Sequence, residues 1–394
     1  MFVLNTYALQ ARQGVRRSGA SRRACSSRVL PRAWFAPLGA VAVRPGSALG
    51  SPGATVQLGA WPGLASAGLQ WPPGVAAGGD AHHRVVWWIN EDMRLQDNEA
   101  LAAGAAASAN AARGGMLLAV YTGSVQKSEV RSALAAVRRS LQERGGELWI
   151  ADPQPQALPA LLMQLREAFQ VQVDRIVYNH AMTVEGARAE RAMLEAVRAM
   201  PDSGQRECIG YLGGNTLLND RAGLEADTSE ARRALSFVQV CRAVREQLEL
   251  RGHQVEWQAA PERISCAEAV REAAAATWNG MPLSDAAAVS GALGEAQVLQ
   301  QLQTAVQPQM ESLTQRLLCR GGEMDLALRF KRALDLGCVS ARQMLAQVAS
   351  ACNGRLEGYT LSEMMWRTYW ALHAHLKVFG SLTGIQSGKV VAFA

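Results

Sequence analysis

The chain has 394 residues, of which 49% are hydrophobic and 19% charged, with a formal net charge of +6. That length suffices for two or three domains with a sizeable core, and no apolar run of about 18 residues free of charge suggests a membrane span. The positive balance is no argument for a nucleic-acid partner: residues 1–79 carry eight Arg, no Lys and no acidic residue, so removing them from +6 leaves −2 for the remainder.

The first 80 residues read as a leader. They are rich in Arg, Ser, Ala and Gly and contain no Asp or Glu before Asp80, the composition of mitochondrial and chloroplast presequences. Met1–Leu9 is too short and too early for a secretory signal. The Gly- and Pro-rich stretch from 45 to 79 cannot bury enough surface to order itself. A chloroplast or mitochondrial destination is therefore expected, with removal of residues 1 to about 80.

From residue 84 to 212, apolar runs alternate with helical patterns. Val85–Ile89, Met116–Tyr121, Leu148–Ala151, Arg175–Asn179 and Cys208–Leu212 are short, continuous and apolar, as buried strands are. Between them, helices are predicted at Asn98–Ala112, Glu129–Glu143, Leu158–Phe169 and Val184–Met200. Continuous apolar strands alternating with helices imply a five-stranded parallel sheet covered on both faces. Such a sheet binds ligands beyond the carboxyl ends of its strands. No G-x-G-x-x-G or G-x-x-x-x-G-K-[ST] run occurs, which disfavours a dinucleotide or P-loop enzyme.

After about Arg221 the pattern becomes helical. A long helix is predicted over Ser229–Leu250. Glu256–Val289 carries weak signals and two prolines, and reads as a connection over the surface. Further helices are predicted at Glu295–Ala305, Gln309–Leu318, Met324–Leu336, Ser340–Ala351 and Thr360–Val378. The fold class is thus α/β followed by all-α: a leader to residue 80, an α/β domain over 84–212, a connector over 213–290, a helical part over 291–380 and a tail over 381–394. The seven Cys show no C-x-x-C spacing, and no Cys/His cluster matches a zinc pattern. His373 and His375, two apart, fall on different helix faces. No metal is predicted, and the cysteines are expected to be free.

Several motifs carry a family resemblance over roughly residues 84–380. Val85-Val86-Trp87-Trp88-Ile89-Asn90-Glu91-Asp92-Met93-Arg94-Leu95-Gln96-Asp97-Asn98-Glu99-Ala100-Leu101 resembles, without a gap, the opening strand and D-L-R-x-x-D-N turn of the cryptochrome/DNA photolyase family. Gly214-Asn215-Thr216-Leu217-Leu218, Cys241-Arg242 and Gly337-Cys338-Val339-Ser340-Ala341-Arg342 are similar to elements of its DASH-type members. Glu363-Met364-Met365-Trp366-Arg367 is similar to E-L-x-W-R.

The resemblance implies a photolyase-type, Rossmann-like α/β domain followed by a partial helical FAD-binding domain. It implies a flavin-based blue-light photoreceptor or a light-driven pyrimidine-dimer repair protein, with FAD, a folate-type antenna and DNA as expected partners. By analogy Glu363 and Trp366 would read and stack on a flipped base, and Arg367 would approach the flavin; the three lie on one helix face.

Some family positions differ. The hydroxyl-bearing phosphate loop falls on Ala327-Leu328-Arg329-Phe330-Lys331-Arg332, where only Arg329, Lys331 and Arg332 offer charge. An aromatic is lost at Leu313–Leu318. The pterin-binding carboxylate falls on Met182, which cannot accept that hydrogen bond. Family chains also continue past the Trp-Arg helix. FAD is therefore expected to bind weakly or not at all, the antenna is doubtful, and a non-catalytic binding or scaffold protein is the alternative.

Overall fold

A computed structural model describes residues 84–109, 115–201, 206–213, 216–218, 235–250, 257–279, 294–316, 326, 328–351 and 359–379. They all lie in the compact unit Leu69–Ala394. The leader and the 381–394 tail fall outside the described residues.

Five strands form one parallel sheet: β1 (Arg84–Ile89), β2 (Met116–Tyr121), β3 (Leu148–Ile150), β4 (Arg175–Asn179) and β5 (Glu207–Tyr211), in the order β3-β2-β1-β4-β5. All five predicted runs are strands in the structure, within one residue at most ends. The register pairs Val86 with both Leu118 and Ile176, and Trp88 with both Val120 and Tyr178.

Because side chains alternate along a strand, each run feeds two cores. Val85, Trp87 and Ile89 join Leu117, Ala119, Tyr121 and Val177 on one face. Val86 and Trp88 join Met116, Leu118, Val120, Ile176 and Tyr178 on the other. The first face is covered by α1 (Glu99–Ala109) and α2 (Ser128–Gln142), through Leu101, Leu134, Val137 and Leu141. The second is covered by α3 (Ala157–Phe169) and α4 (Val184–Arg198), through Leu158, Leu162, Leu165, Met193, Leu194 and Val197. Gly104 lets α1 lie close on the sheet, since a Cβ there would meet Val177 Cγ2 at 3.0 Å and Leu117 Cδ1 at 3.1 Å.

The rest of the described chain contains helices and no strand: α5 (Phe237–Leu250), α6 (Glu268–Ala276), α7 (Glu295–Arg316), α8 (Lys331–Asp335), α9 (Ala341–Ala351) and α10 (Tyr359–Phe379). Two expectations are corrected. The helices predicted at 295–305 and 309–318 are one continuous α7 to Arg316, with Pro308 inside it, because helix-favouring residues (Ala305, Gln307, Gln309, Met310, Glu311) stand on both sides of the proline.

The segment predicted to run over the surface does so at residues 257–263, which are mostly exposed, but from Ile264 onward it packs on the sheet domain. Leu117 N–H donates to Ser265 O at 2.7 Å, and Ile264 N–H donates to Arg144 O at 2.8 Å. Trp278 Nε1 donates to Leu148 O at 2.8 Å, and Arg138 lies over its ring at 4.7 Å. Val270 and Ala274 on α6 are buried in the second core. Three small or apolar side chains at helical spacing, Val270, Ala273 and Ala274, suffice to seat a short helix on a sheet edge.

Candidate functional site

The order β3-β2-β1-β4-β5 reverses between β1 and β4, which places the expected ligand crevice at their carboxyl ends. The chain fills that crevice with itself. Asn98 caps α1 by accepting from Leu101 N–H at 2.9 Å, and its amide donates to Asp92 at 2.9 Å. Asn179, at the end of β4, donates to Asp92 and to Asn98 Oδ1. Arg94 donates to Gly337 O at 3.0 Å and to Asp97 O at 3.0 Å. Met93 N–H donates to Leu336 O at 3.1 Å.

Gly337 has φ +66°, and a Cβ there would overlap the Glu91 carbonyl oxygen and Asp92 Cα. Only glycine combines that backbone with that approach. Arg342 then reaches both Asp97 and Glu99 at 2.9 Å, and Glu295 accepts from Leu95 and Gln96 N–H at 2.8 and 3.0 Å. The motifs 92–98 and 337–342 are therefore two halves of one buried junction. Burial raises Asp92 to about pKa 6, opposed by nearby Arg94 and the Asn179 hydrogen bond. For Arg342, desolvation works to lower the pKa, but Asp97 and Glu99 outweigh it and the guanidinium stays charged.

The site residues expected from the sequence lie on α10 and near α8. Glu363, Trp366 and Arg367 share one face of α10. Trp366 is 41% exposed and stacks on Phe237 with ring centroids 3.7 Å apart. Tyr369 and Trp370 extend this aromatic surface, and Trp370 is 51% exposed. Arg367 donates twice to Asp335 Oδ1 at 3.1 Å and lies 3.8 Å from Glu363. Its Nε makes no hydrogen bond among the described residues.

Arg329 does not join this group: its described contact is with the Phe330 ring at 5.8 Å. Lys331 is paired with Asp335 at 2.5 Å and Arg332 with Glu129 at 3.1 Å. Leu328 is exposed, and Ala327 lies outside the described residues. Met182 offers only its backbone N–H, which Glu91 accepts at 2.7 Å; the same carboxylate accepts from Thr183 Oγ1, the cap of α4.

Residues 85–206 match the family model described as DNA photolyase. That stretch is similar to a DNA photolyase domain, and it is the α/β layer just described up to, but not including, its last strand. Among solved structures, the cryptochrome of Synechocystis sp. PCC6803 is similar over 77% of this chain and 64% of its own, at 18% identity and a TM-score of 0.51. A bacterial class III photolyase from Agrobacterium tumefaciens is similar over 78% of this chain and 62% of its own, at 18% identity and a TM-score of 0.50. The chain thus spans less than two thirds of either neighbour's length, and at this identity the likeness is one of fold. No curated protein matches by sequence.

The residues around α10 fit one end of a flavin better than the other. Two exposed indoles beside the Glu363–Arg367 pair suit a flat, polar-edged ring. A diphosphate needs directed donors. The nearby cations Lys331 and Arg332 are already paired, and Leu328 is apolar. Among the described residues the diphosphate end does not fit.

Sequence reasoning missed a cluster altogether. His180, Glu190 and His375, all buried, place one ligand-type atom each within 4.8 Å of one another. The expectation of no metal rested on spacing along the chain, and spacing cannot register a group assembled from β4, α4 and α10. The one available signal was the position of His180, directly after a strand at the carboxyl end of the sheet. The described cysteines, Cys208, Cys241, Cys266 and Cys338, are free.

Proposed function

We propose that this chain acts as a flavin-associated, blue-light-responsive protein of the cryptochrome/photolyase kind, similar to its DASH-type members, and that it holds FAD weakly. The observation that carries the reading is the face of α10, where two exposed indoles adjoin the Glu363–Arg367 pair. Exposed aromatic planes beside an acid and a cation suit a ring with hydrogen-bonding edges, whether a flavin or a base turned out of a duplex. A bound flavin would supply the light absorption and one-electron chemistry. The chain's own residues would stack the ring, hold its polar edge and keep water from one side. DNA is the proposed partner on the same chemistry, and a folate-type antenna is not, because Met182 presents no side-chain acceptor. An organelle is the proposed location, on the composition of the leader.

A second reading is a binding or scaffold protein without FAD. It is favoured by Phe237, which covers one face of Trp366, and by Asp335, which already neutralises Arg367. The visible spectrum of the purified full chain, followed by equilibrium dialysis against FAD, separates the two. Flavin bands that titrate with added FAD support the first. A chain that stays colourless at millimolar FAD supports the second.

A further inference from the structure

The cluster His180–Glu190–His375 lies where three elements meet. His180 follows β4, Glu190 is on the buried face of α4, and His375 is on the face of α10 that packs against α4. His180 is 8% exposed, Glu190 0% and His375 4%. Glu190 is fully engaged: Oε1 accepts from His180 Nδ1 at 2.7 Å, and Oε2 accepts from Ala181 N–H at 2.9 Å. A carboxylate on Nδ1 fixes the tautomer that leaves a lone pair on Nε2.

Among the described residues, that Nε2 is buried with no hydrogen-bond partner, and so is Nδ1 of His375. The two rings stand 4.5 Å apart between centroids at 68°. Orphaned buried polar atoms are rare because each costs its desolvation uncompensated, and these two belong to rings in edge contact. Gly210 lets the His180 ring take this position, since a Cβ there would overlap Cε1 and Nε2. Tyr178 stands edge-on to His180, and Phe379 stacks on His375 at 4.4 Å, so the rings are held from behind by aromatic neighbours.

We propose that Nε2 of His180 and Nδ1 of His375 hold a divalent cation of the zinc class, with Glu190 orienting His180 and balancing charge. The ion would staple α10 to the carboxyl end of β4 and to α4. Two imidazoles select zinc-class ions over magnesium or calcium, which need oxygen ligands. A carboxylate behind a ligating histidine is the usual outer support of such a site. The staple is independent of any flavin.

The test uses the full chain with His82, His83 and His253 changed to Gln, which removes the histidines that lie outside the described residues. After chelator treatment, one equivalent of Zn²⁺ should bind and raise the unfolding midpoint. X-ray absorption of the zinc-loaded protein should show nitrogen or oxygen neighbours at about 2.0–2.1 Å with two imidazole outer shells. Glu190→Gln should weaken binding roughly 10- to 100-fold. His375→Leu should abolish the midpoint shift, and His373→Gln, on another face of α10, should leave it intact. Failure of the parent chain to take up zinc would overturn the proposal, as would sulfur neighbours in the absorption spectrum. A shift that survives His375→Leu would do the same. Should His375→Leu not fold, the ligand shells of the parent chain still decide. Two imidazoles sharing a proton without a metal would give no zinc uptake and so count against it.

Discussion

Arg342 Nη2 lies 2.9 Å from Asp97 Oδ1, an ion pair between residues 245 apart whose side chains are 6% and 1% exposed. Asp97 sits at φ +51°, a left-handed turn that Asp tolerates better than most residues. The turn after β1 is thus held by the start of α9. Removing Arg342 leaves the Asp97 carboxylate buried without its cation, which costs about 3–5 kcal/mol. Arg342→Met should lower the unfolding free energy by that order in a urea titration. The double variant Asp97→Asn/Arg342→Met should lose less than the two single losses together. Simple additivity would show that the pair is not coupled.

Gly337→Ala addresses the same junction from the backbone. The added methyl meets the Glu91 carbonyl oxygen and Asp92 Cα and must adopt φ +66°. Strain at such a position alone costs about 1–3 kcal/mol, and the overlap adds to it. Thermal unfolding should show a clear drop in midpoint, whereas a wild-type midpoint would mean that 336–338 can withdraw from the sheet.

Asp92 makes stability depend on pH in a defined direction. Its folded pKa of about 6 stands above the ordinary 3.8, chiefly through burial. Between those values the folded chain holds a proton that the unfolded chain has released. The stabilisation from Asp92 is therefore full below about pH 4 and lost as pH rises through 6. Asn at this position cannot titrate. The unfolding free energy of wild type relative to Asp92→Asn should rise as pH falls from 6.5 to 4, by at most about 1.4 kcal/mol per pH unit. A flat difference would show that Asp92 stays ionised in the fold.

FAD affinity should be weak, with a dissociation constant above about a micromolar, because the described residues leave the diphosphate without directed donors. If the ring docks on α10, Arg367→Ala should weaken binding roughly tenfold to a hundredfold. Arg329→Ala should change it little, since Arg329 lies apart from the α10 group and an exposed charge is screened. Sub-micromolar binding would contradict the weak site inferred here.

Trp88→Asp should prevent cooperative folding. Trp88 is 2% exposed, with strands on both sides and Nε1 donating to Thr122 Oγ1 at 2.9 Å. A carboxylate in its place finds no cation among the apolar residues of that core. Circular dichroism and limited proteolysis of the variant check this.

The sheet was legible in the sequence because burial on both faces leaves continuous apolar runs, and Val85–Ile89, Met116–Tyr121 and Arg175–Asn179 show them. Helix spans were legible for the same reason, with Val130, Leu134, Val137 and Leu141 at helical spacing over α2. The motif order was legible too, and it pointed to the family whose domain model the chain matches. What those motifs do was not. Asp92, Arg94, Asp97 and Arg342, which those motifs contain, are spent holding the sheet to the helices across more than two hundred residues. The burial of Val270, Ala274 and Trp278 was hidden because three small or apolar residues give little periodic signal until a sheet edge is there to receive them. His180, Glu190 and His375 were invisible as a group, since local pattern records what neighbours along the chain share, and only packing brings β4, α4 and α10 within reach of one another.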